Sequence, residues 1–237
     1  MAPAPVSGNL ATYSNNASGS SDPALAYPSA NQAGSLLVLA ASWGTGSGVP
    51  TSGTVTDTQG NAWSMLGFQN YSADTQCVAL FASYGAKAGA NSVTIAWPQA
   101  CDFRRVLIDE YTGVATASAL DGSIASAFGA GSTTTNAITS GNVTTSQSGD
   151  LILGVVERTF EDGTSVAGTS PLAYTIRNNV VNGLFLEWAV AGAAGSYAGT
   201  WTFTAGTNQH FAAITAAFKA ASGGAANPKG GQFVPFF

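Results

Sequence analysis

Acidic side chains have the clearest capacity for chemistry in this sequence, because a pair of carboxylates can perform the acid–base catalysis of glycoside hydrolysis. Asp109 and Glu110 are neighbours in a predicted strand, so their side chains point to opposite faces and cannot act as a pair. Glu157 and Glu187 occupy comparable places in strands of the second half of the chain and could approach each other. Arg158 directly follows Glu157, which indicates a solvated strand end. We therefore expect no catalytic residues and no enzyme.

Histidine and cysteine are scarce. His210 is the only histidine, and no Gly-x-Ser-x-Gly motif in a strand-to-helix context accompanies it. Cys77 and Cys101, together with one histidine, cannot supply the four ligands of a structural zinc site, so we expect no metal and no cofactor. Both cysteines precede predicted strands that are separated by one further strand. A disulfide between them and two free thiols are therefore both compatible with the sequence.

Two binding sites can be suggested from residues near predicted loops. Trp63 and Tyr71 are close in sequence and could form an aromatic platform for a glycan. Asp57 and Asn61 could ligate calcium, but capping of the tight turn between them is the interpretation that we favour.

The composition excludes several classes of partner. Charged residues make up 8% of the sequence, against about 25% in an ordinary domain, and the net charge is −5. Nucleic acids and anionic membranes attract basic surfaces, so we expect neither as a partner. Hydrophobic residues make up 45%, which predicts a substantial core. The remaining polar surface must come from uncharged residues, and such a surface suits proteins that are packed against neighbours.

The apolar pattern predicts an all-β protein. Residues 35–43 form a continuous apolar run between glycines, which favours a strand buried on both faces. Residues 91–97 alternate between apolar and polar, as in a half-buried strand. About a dozen short strands at regular spacing are typical of a jelly-roll or Ig-like β-sandwich. The other predicted strands are residues 6–12, 53–56, 62–67, 78–84, 104–111, 137–145, 151–157, 172–177, 184–190, 200–204 and 210–219.

The two halves of the chain resemble each other, which indicates an internal duplication of about 110 residues. Five segments match in the same order. We place the halves at residues 1–114 and 115–220 and prefer one sandwich unit to two separate ones, because the connecting segment contains an anchored stretch around Leu120. The matches are residues 33–39 with 148–154, 61–63 with 172–174, 81–85 with 188–192, 95–97 with 201–203, and the strand of Ile108 and Tyr111 with that of Ile214 and Phe218.

Residues 221–237 differ from the rest of the chain. A Gly-rich linker is followed by an apolar end, and a linker of about 11 residues reaches roughly 20 Å. Burying three Phe side chains would contribute roughly 5–9 kcal/mol before ordering costs, so we expect a peptide that docks into a partner rather than one that folds back. The partner-binding residues are Phe233, Val234, Pro235, Phe236 and Phe237.

Several segments together resemble a diffuse set of bacterial and phage surface, tail-fibre or capsid-associated proteins with β-sandwich domains. They are residues 33–38, 57–63, 90–95, 109–114 and 149–153, and the resemblance spans roughly residues 33–219. It implies an extracellular or virion sandwich and carries over no catalytic residues. Residues 1–8 have no basic residue and no apolar stretch, so they do not look like a secretory signal.

We therefore expect a virion structural protein, such as a decoration, fibre, spike or tail-associated subunit. It would be assembled in the host cytoplasm and would contact other virion proteins and copies of itself. The alternative is a secreted or phage-borne adhesin at the cell surface that binds a host glycan.

Overall fold

The computed structural model describes residues 1–44, 50–71, 76–129, 137–158, 165–178, 183–203 and 210–222. These residues form seventeen strands and no helix, so the all-β, sandwich-like prediction is confirmed. The strands are β1 (Ala4–Pro5), β2 (Ala11–Asn15), β3 (Gly19–Ser21), β4 (Leu25–Ala26), β5 (Leu36–Gly44), β6 (Thr54–Asp57), β7 (Ser64–Tyr71), β8 (Gln76–Ser83), β9 (Ser92–Thr112), β10 (Ala125–Gly129), β11 (Ala137–Thr145), β12 (Leu151–Arg158), β13 (Ser165–Ala167), β14 (Thr175–Asn178), β15 (Leu184–Val190), β16 (Gly195–Phe203) and β17 (Phe211–Phe218).

Each half of the chain builds a large and a small layer of antiparallel strands. In the first half the large layer has the order β2-β9-β5-β8-β7, and β1 lies beside β9 next to β2. The small layer is the N-terminal part of β9, flanked by β6 on one side and by β3 and β4 on the other. In the second half the large layer has the order β10-β17-β12-β15-β14, and the small layer has the order β11-β16-β13.

The strand β9 belongs to both layers of the first half. We predicted two strands in this region, residues 91–97 and 104–111, and the structure joins them into one strand of 21 residues. Phe103 has a positive φ of 49°, which marks the point where the strand passes from the small layer to the large one.

Apolar side chains alternate between two buried surfaces along the central strands. In β5, Leu36, Val38 and Ala40 face the large layer of the other half. Leu37 and Leu39 face the small layer of their own half. This is why residues 35–43 read as a continuous apolar run, and every residue of β5 is buried as predicted.

The two large layers pack face to face, so the layers follow the order small, large, large, small. The cluster between the large layers combines side chains of β5, β8 and β9 with side chains of β12, β15 and β17. Separate clusters fill the space between the large and small layers of each half.

Strand pairing in the two halves corresponds strand by strand, although the duplication itself stays a prediction. Gly34 and Gly149 both have positive φ values, 81° and 84°, just before the central strand of their half. The amide of Gly34 donates to the carbonyl of Ala86, and that of Gly149 donates to the carbonyl of Ala191, each at 2.8 Å. The central strand then pairs on one side with β8 or β15 and on the other with β9 or β17.

The connection between the halves is held against the last strand. Leu120 forms a β-bridge with Phe218, and the amide of Asp121 donates to the carbonyl of Ala217 at 2.8 Å. At the corresponding edge of the first half, Pro5 pairs with Tyr111. The anchoring expected around Leu120 is therefore present.

Candidate functional site

Most charged side chains lie inside the protein. Of the fifteen charged residues whose placement is described, ten are buried and only Lys87 is exposed. Four more are half-buried, Asp57, Asp102, Arg177 and Lys219, so the exterior of the described residues has few charges, while the buried charges tie segments together inside. The buried charged residues are Asp22, Arg104, Arg105, Asp109, Glu110, Asp121, Asp150, Glu157, Arg158 and Glu187.

Asp109 and Glu110 point to opposite faces of β9, as strand alternation requires. Asp109 forms a two-pronged ion pair with Arg177 of β14, with N–O distances of 2.7 and 2.8 Å. Burial raises the pKa of Asp109, although Arg177 opposes this effect. Glu110 accepts hydrogen bonds from the Ser35 hydroxyl at 2.6 Å and from the Gln32 amide at 2.7 Å. Both carboxylates therefore hold structure together.

Glu157 and Glu187 are not a catalytic pair, because they lie on opposite faces of their sheet. Glu157 is in phase with Leu153 and Leu151, which face the other half. Glu187 is in phase with Phe185, which faces the small layer. Burial raises the pKa of each carboxyl to about 8. Arg105 opposes this rise for Glu157, and backbone hydrogen bonds oppose it for Glu187.

The Arg158 side chain is also buried, rather than at the solvated strand end that we expected. Its guanidinium lies 4.3 Å from the centre of the Phe203 ring, a cation–π arrangement in the second half of the chain.

Asp57 caps its turn, as the sequence favoured. Its carboxylate accepts hydrogen bonds from the Asn61 amide at 2.9 Å, the Asn61 side chain at 2.7 Å, the Trp63 indole at 3.0 Å and the Asn91 side chain at 3.1 Å. Burial opposes ionisation, but these hydrogen bonds together lower the pKa of Asp57. Three of the four donors are on Oδ2 and one is on Oδ1, so the carboxylate is engaged in holding the turn.

The aromatic platform expected from Trp63 and Tyr71 is not formed. Trp63 directly precedes β7 and Tyr71 is its last residue, so the two lie about 25 Å apart along the strand. Trp63 packs against the cluster between the large and small layers of the first half. The centroid of the Tyr71 ring lies 4.0 Å from that of the His210 ring and 6.1 Å from that of the Phe128 ring.

Cys77 and Cys101 are buried free thiols in the structure, which is the second of the two alternatives that the sequence left. The strand β5 runs between the strands that carry them. Cys77 donates to the carbonyl of Trp43 at 3.3 Å, and Cys101 donates to that of Gly19 at 3.7 Å. Burial raises the pKa of both thiols, that of Cys101 to about 12.

A cleft of about 290 Å³ lies at the small layer of the second half. Its floor is made by the outer face of β11 and β16, where Thr139 pairs with Thr200. Its wall is made by residues 168–170, which follow β13. Sequence reasoning missed this site, because threonines in strands look like an ordinary solvated face until the register is known.

The core beneath this cleft is more polar than the corresponding core of the first half. Glu187 accepts hydrogen bonds from the amides of Thr200 at 2.9 Å and Gly168 at 3.5 Å. The Thr215 hydroxyl hydrogen-bonds that of Ser140 at 2.6 Å. At the positions of Leu39, Phe81 and Ile108 in the first half, the strand pairing of the second half places Gly154, Glu187 and Thr215. The predicted match of residues 81–85 with 188–192 is therefore wrong by one residue. The predicted match of residues 95–97 with 201–203 places Gly199 at the position of Val93.

The predicted docking residues Phe233, Val234, Pro235, Phe236 and Phe237 lie outside the described residues. In the part of the chain that is described, no cluster of three or more His, Cys, Asp or Glu side chains could hold a metal ion. Among the same residues, no helix has the length and apolar character needed to cross a bilayer.

The fold defines the class of an all-β, sandwich-like protein, and few of the charged residues that the structure describes reach its exterior. Comparison with known proteins adds no family to this description. No family model matches the chain, no curated protein matches it, and no solved structure matches it.

Proposed function

We propose that this protein is a structural subunit of a larger assembly, a virion or a cell-surface particle, in which it acts by protein–protein contact. The observation that carries the proposal is the position of the charges: only Lys87 is exposed among the fifteen described charged residues. Net surface charge keeps proteins soluble and apart, and protein interfaces are depleted in Lys, Asp and Glu. Here the described exterior shares the low charge of such an interface, although its exposed residues are mainly Ser, Thr and Ala rather than aromatic residues.

The outer faces of the two small layers are the best candidates for contact surfaces. In the first half, Thr54 pairs with Ala96, and Thr56 pairs with Thr94. In the second half, the pairs Ala137–Thr202 and Thr139–Thr200 make a similar face of methyl and hydroxyl groups. Covering such a face costs less hydration energy than covering a charged one, provided that its hydroxyl groups find hydrogen-bond partners.

The segment of residues 233–237 supplies a second means of attachment in this proposal. Its sequence, Phe-Val-Pro-Phe-Phe after a Gly-rich stretch, suits a docking peptide that inserts into a neighbouring subunit. The resemblance of residues 33–219 to phage and bacterial surface proteins supports the same setting. A virion is the first candidate location, and the cell surface is the second.

The test is to express the full chain, alone and together with its neighbouring genes, and to measure its assembly by sedimentation and electron microscopy. Thr56→Glu and Thr202→Glu place a charge on the outer face of each small layer. The control is Ala88→Glu, which places the same charge at an exposed residue outside the strands. Deletion of residues 227–237 examines the docking segment separately.

We expect the chain to enter particles or oligomers, and we expect the face variants or the deletion to reduce this at least tenfold. Ala88→Glu should assemble normally. A chain that stays monomeric at every concentration and is absent from particles would overturn the proposal. Equal loss in Ala88→Glu would overturn the role of the small-layer faces.

A further inference from the structure

The cleft in the second half has the form of a small binding site. It lies between the outer face of β11 and β16 and the segment 168–170, and its volume is about 290 Å³. This is close to the lower end of the range of ligand pockets, roughly 300 Å³. Thr139, Thr169, Ser170 and Thr202 are exposed in it, and Thr200 is half-buried at its base.

The chemistry of the lining is uniform. Each threonine or serine hydroxyl can both donate and accept a hydrogen bond, and the threonine methyl groups offer small apolar patches. No charged side chain lines the cleft. A ligand that is matched to such a surface is neutral and carries many hydroxyl groups of its own.

The floor and the wall of the cleft are held together by hydrogen bonds within the protein. The Glu187 carboxyl accepts hydrogen bonds from the amide of Thr200 in the floor and from the amide of Gly168 in the wall. The Thr200 hydroxyl donates to the carbonyl of Ser170 at 3.1 Å. A Cβ atom at Gly168 would lie 1.7 Å from the Thr200 hydroxyl oxygen, so only glycine lets the wall approach this closely. A site fixed in this way loses little entropy when a ligand binds.

The strand that leads into the wall of the cleft is longer in the first half than in the second. There β6 stays paired as far as Asp57, opposite Val93. The turn that follows is covered by Lys87, whose ammonium donates to the carbonyls of Gln59 and Gly60 at 2.9 and 3.0 Å. In the second half, the pairing of β13 ends at Ala167, and the chain continues as the wall of the cleft. The two halves therefore differ in the path of the chain after this strand, and in the second half that path forms the wall of the cleft.

We propose that this cleft binds a sugar residue of a neutral glycan. The hydroxyls of Thr139 and Thr202 would contact the sugar directly. Anionic sugars are disfavoured, because no basic side chain lines the cleft and the chain has a net charge of −5. This proposal does not depend on assembly into a particle, so the two can fail separately.

The test uses the full chain with saturation-transfer NMR. The probes are the methyl glycosides of glucose, galactose and mannose, N-acetylglucosamine, and methyl glucuronide as the anionic counterpart, each at up to about 10 mM, the range of weak single sites. The variant Thr139→Val/Thr202→Val removes two hydroxyls while keeping shape and strand preference. The matched control is Thr54→Val/Thr56→Val, two exposed threonines on the small layer of the first half.

We expect at least one neutral sugar to bind, with Kd raised about tenfold or more by Thr139→Val/Thr202→Val and unchanged in the control. Failure of every neutral sugar to bind would overturn the proposal, as would binding of the glucuronide alone. An equal loss of affinity in the control variant would place the sugar elsewhere and overturn the assignment of this cleft.

Discussion

Arg177 of the second half donates two hydrogen bonds to the Asp109 carboxylate of the first half, at 2.7 and 2.8 Å. Arg177 occupies a register irregularity in the pairing of β14 with β15. Leu66 occupies the same kind of irregularity in the pairing of β7 with β8, and it packs against the cluster between the large layers. The residue that corresponds to Asp109 is Ala216. One side of the interface therefore has an ion pair where the other side has two apolar residues.

This relationship predicts that Arg177→Leu lowers the free energy of unfolding by about 3 kcal/mol, because it leaves a buried carboxylate without its partner. The double variant Arg177→Leu/Asp109→Ala copies the residues at Leu66 and Ala216. We expect it to recover most of the loss, since removing both charges leaves none unpaired. Urea denaturation of the three proteins measures both effects. Equal stability of Arg177→Leu and the parent protein would contradict this account.

Because burial raises the pKa of Glu187, we predict that the free energy of unfolding depends on pH. Its pKa is about 8 in the folded protein, against 4.5 for an ordinary glutamate, so the folded state keeps a proton that the unfolded state releases between these values. The stability that this group contributes is therefore complete below pH 4.5, and it falls as the pH rises to about 8. The slope is at most about 1.4 kcal/mol per pH unit.

The variant Glu187→Gln stays neutral and keeps an oxygen that can accept from the Thr200 amide. Its stability relative to the parent protein should increase as the pH rises from about 5 to about 8, because the parent alone must ionise a buried group. Urea unfolding at several pH values gives the comparison. Parallel curves for the two proteins would mean that Glu187 is not protonated in the folded state.

Much of the fold follows from local pattern. The run at residues 35–43 was predicted to be buried on both faces, and the structure confirms it as β5. The continuity of β9 could not be predicted, because residues 98–103, which include Pro98 and Asp102, look like a loop. They stay in the strand since Arg104 is buried, 5.7 Å from the Trp97 ring, and its guanidinium donates to the carbonyl of Ser21 at 2.7 Å.

The candidate site could not be predicted from the sequence. Trp63 and Tyr71 are close in sequence, but an extended strand separates them in space. Thr139 is far in sequence from Thr200 and Thr202, and these residues of the cleft floor meet only through the pairing of β11 with β16. A hydroxyl in a strand has no pattern that distinguishes a binding face from a solvated one, so the register had to be known first.

Asp57 provides a prediction with the opposite pH dependence. Its pKa is lowered in the folded protein by hydrogen bonds from Asn61, Asn91 and Trp63, so its contribution to stability is lost as the pH falls below its ordinary value of 3.8. At neutral pH, Asp57→Ala leaves four donors without their acceptor and should cost about 2–4 kcal/mol. Thermal unfolding with calcium and with a chelator should give the same midpoint for the parent protein. A midpoint that rises with calcium would favour the metal-binding alternative.

Gly199 leaves room for the Trp201 ring in the polar core of the second half, and we predict that a side chain at residue 199 would not fit beside that ring. A Cβ atom at Gly199 would lie 2.7 Å from the Trp201 ring and 2.4 Å from the Thr215 hydroxyl, so Gly199→Ala should lower stability by roughly 1–3 kcal/mol. Gly192→Ala is the matched control, because a Cβ atom there meets nothing within 4 Å.

Trp201→Ile introduces the residue that the first half has at the corresponding position, Ile95, and should lower stability by leaving a cavity. In the double variant Gly199→Ala/Trp201→Ile, the new methyl group enters that cavity. Its loss of stability should therefore be smaller than the sum of the two single losses, by about 1 kcal/mol or more. Chemical denaturation of the four proteins in this cycle measures the coupling. Strict additivity would show that the glycine and the indole do not share the space, and that the absence of a side chain at residue 199 has another cause.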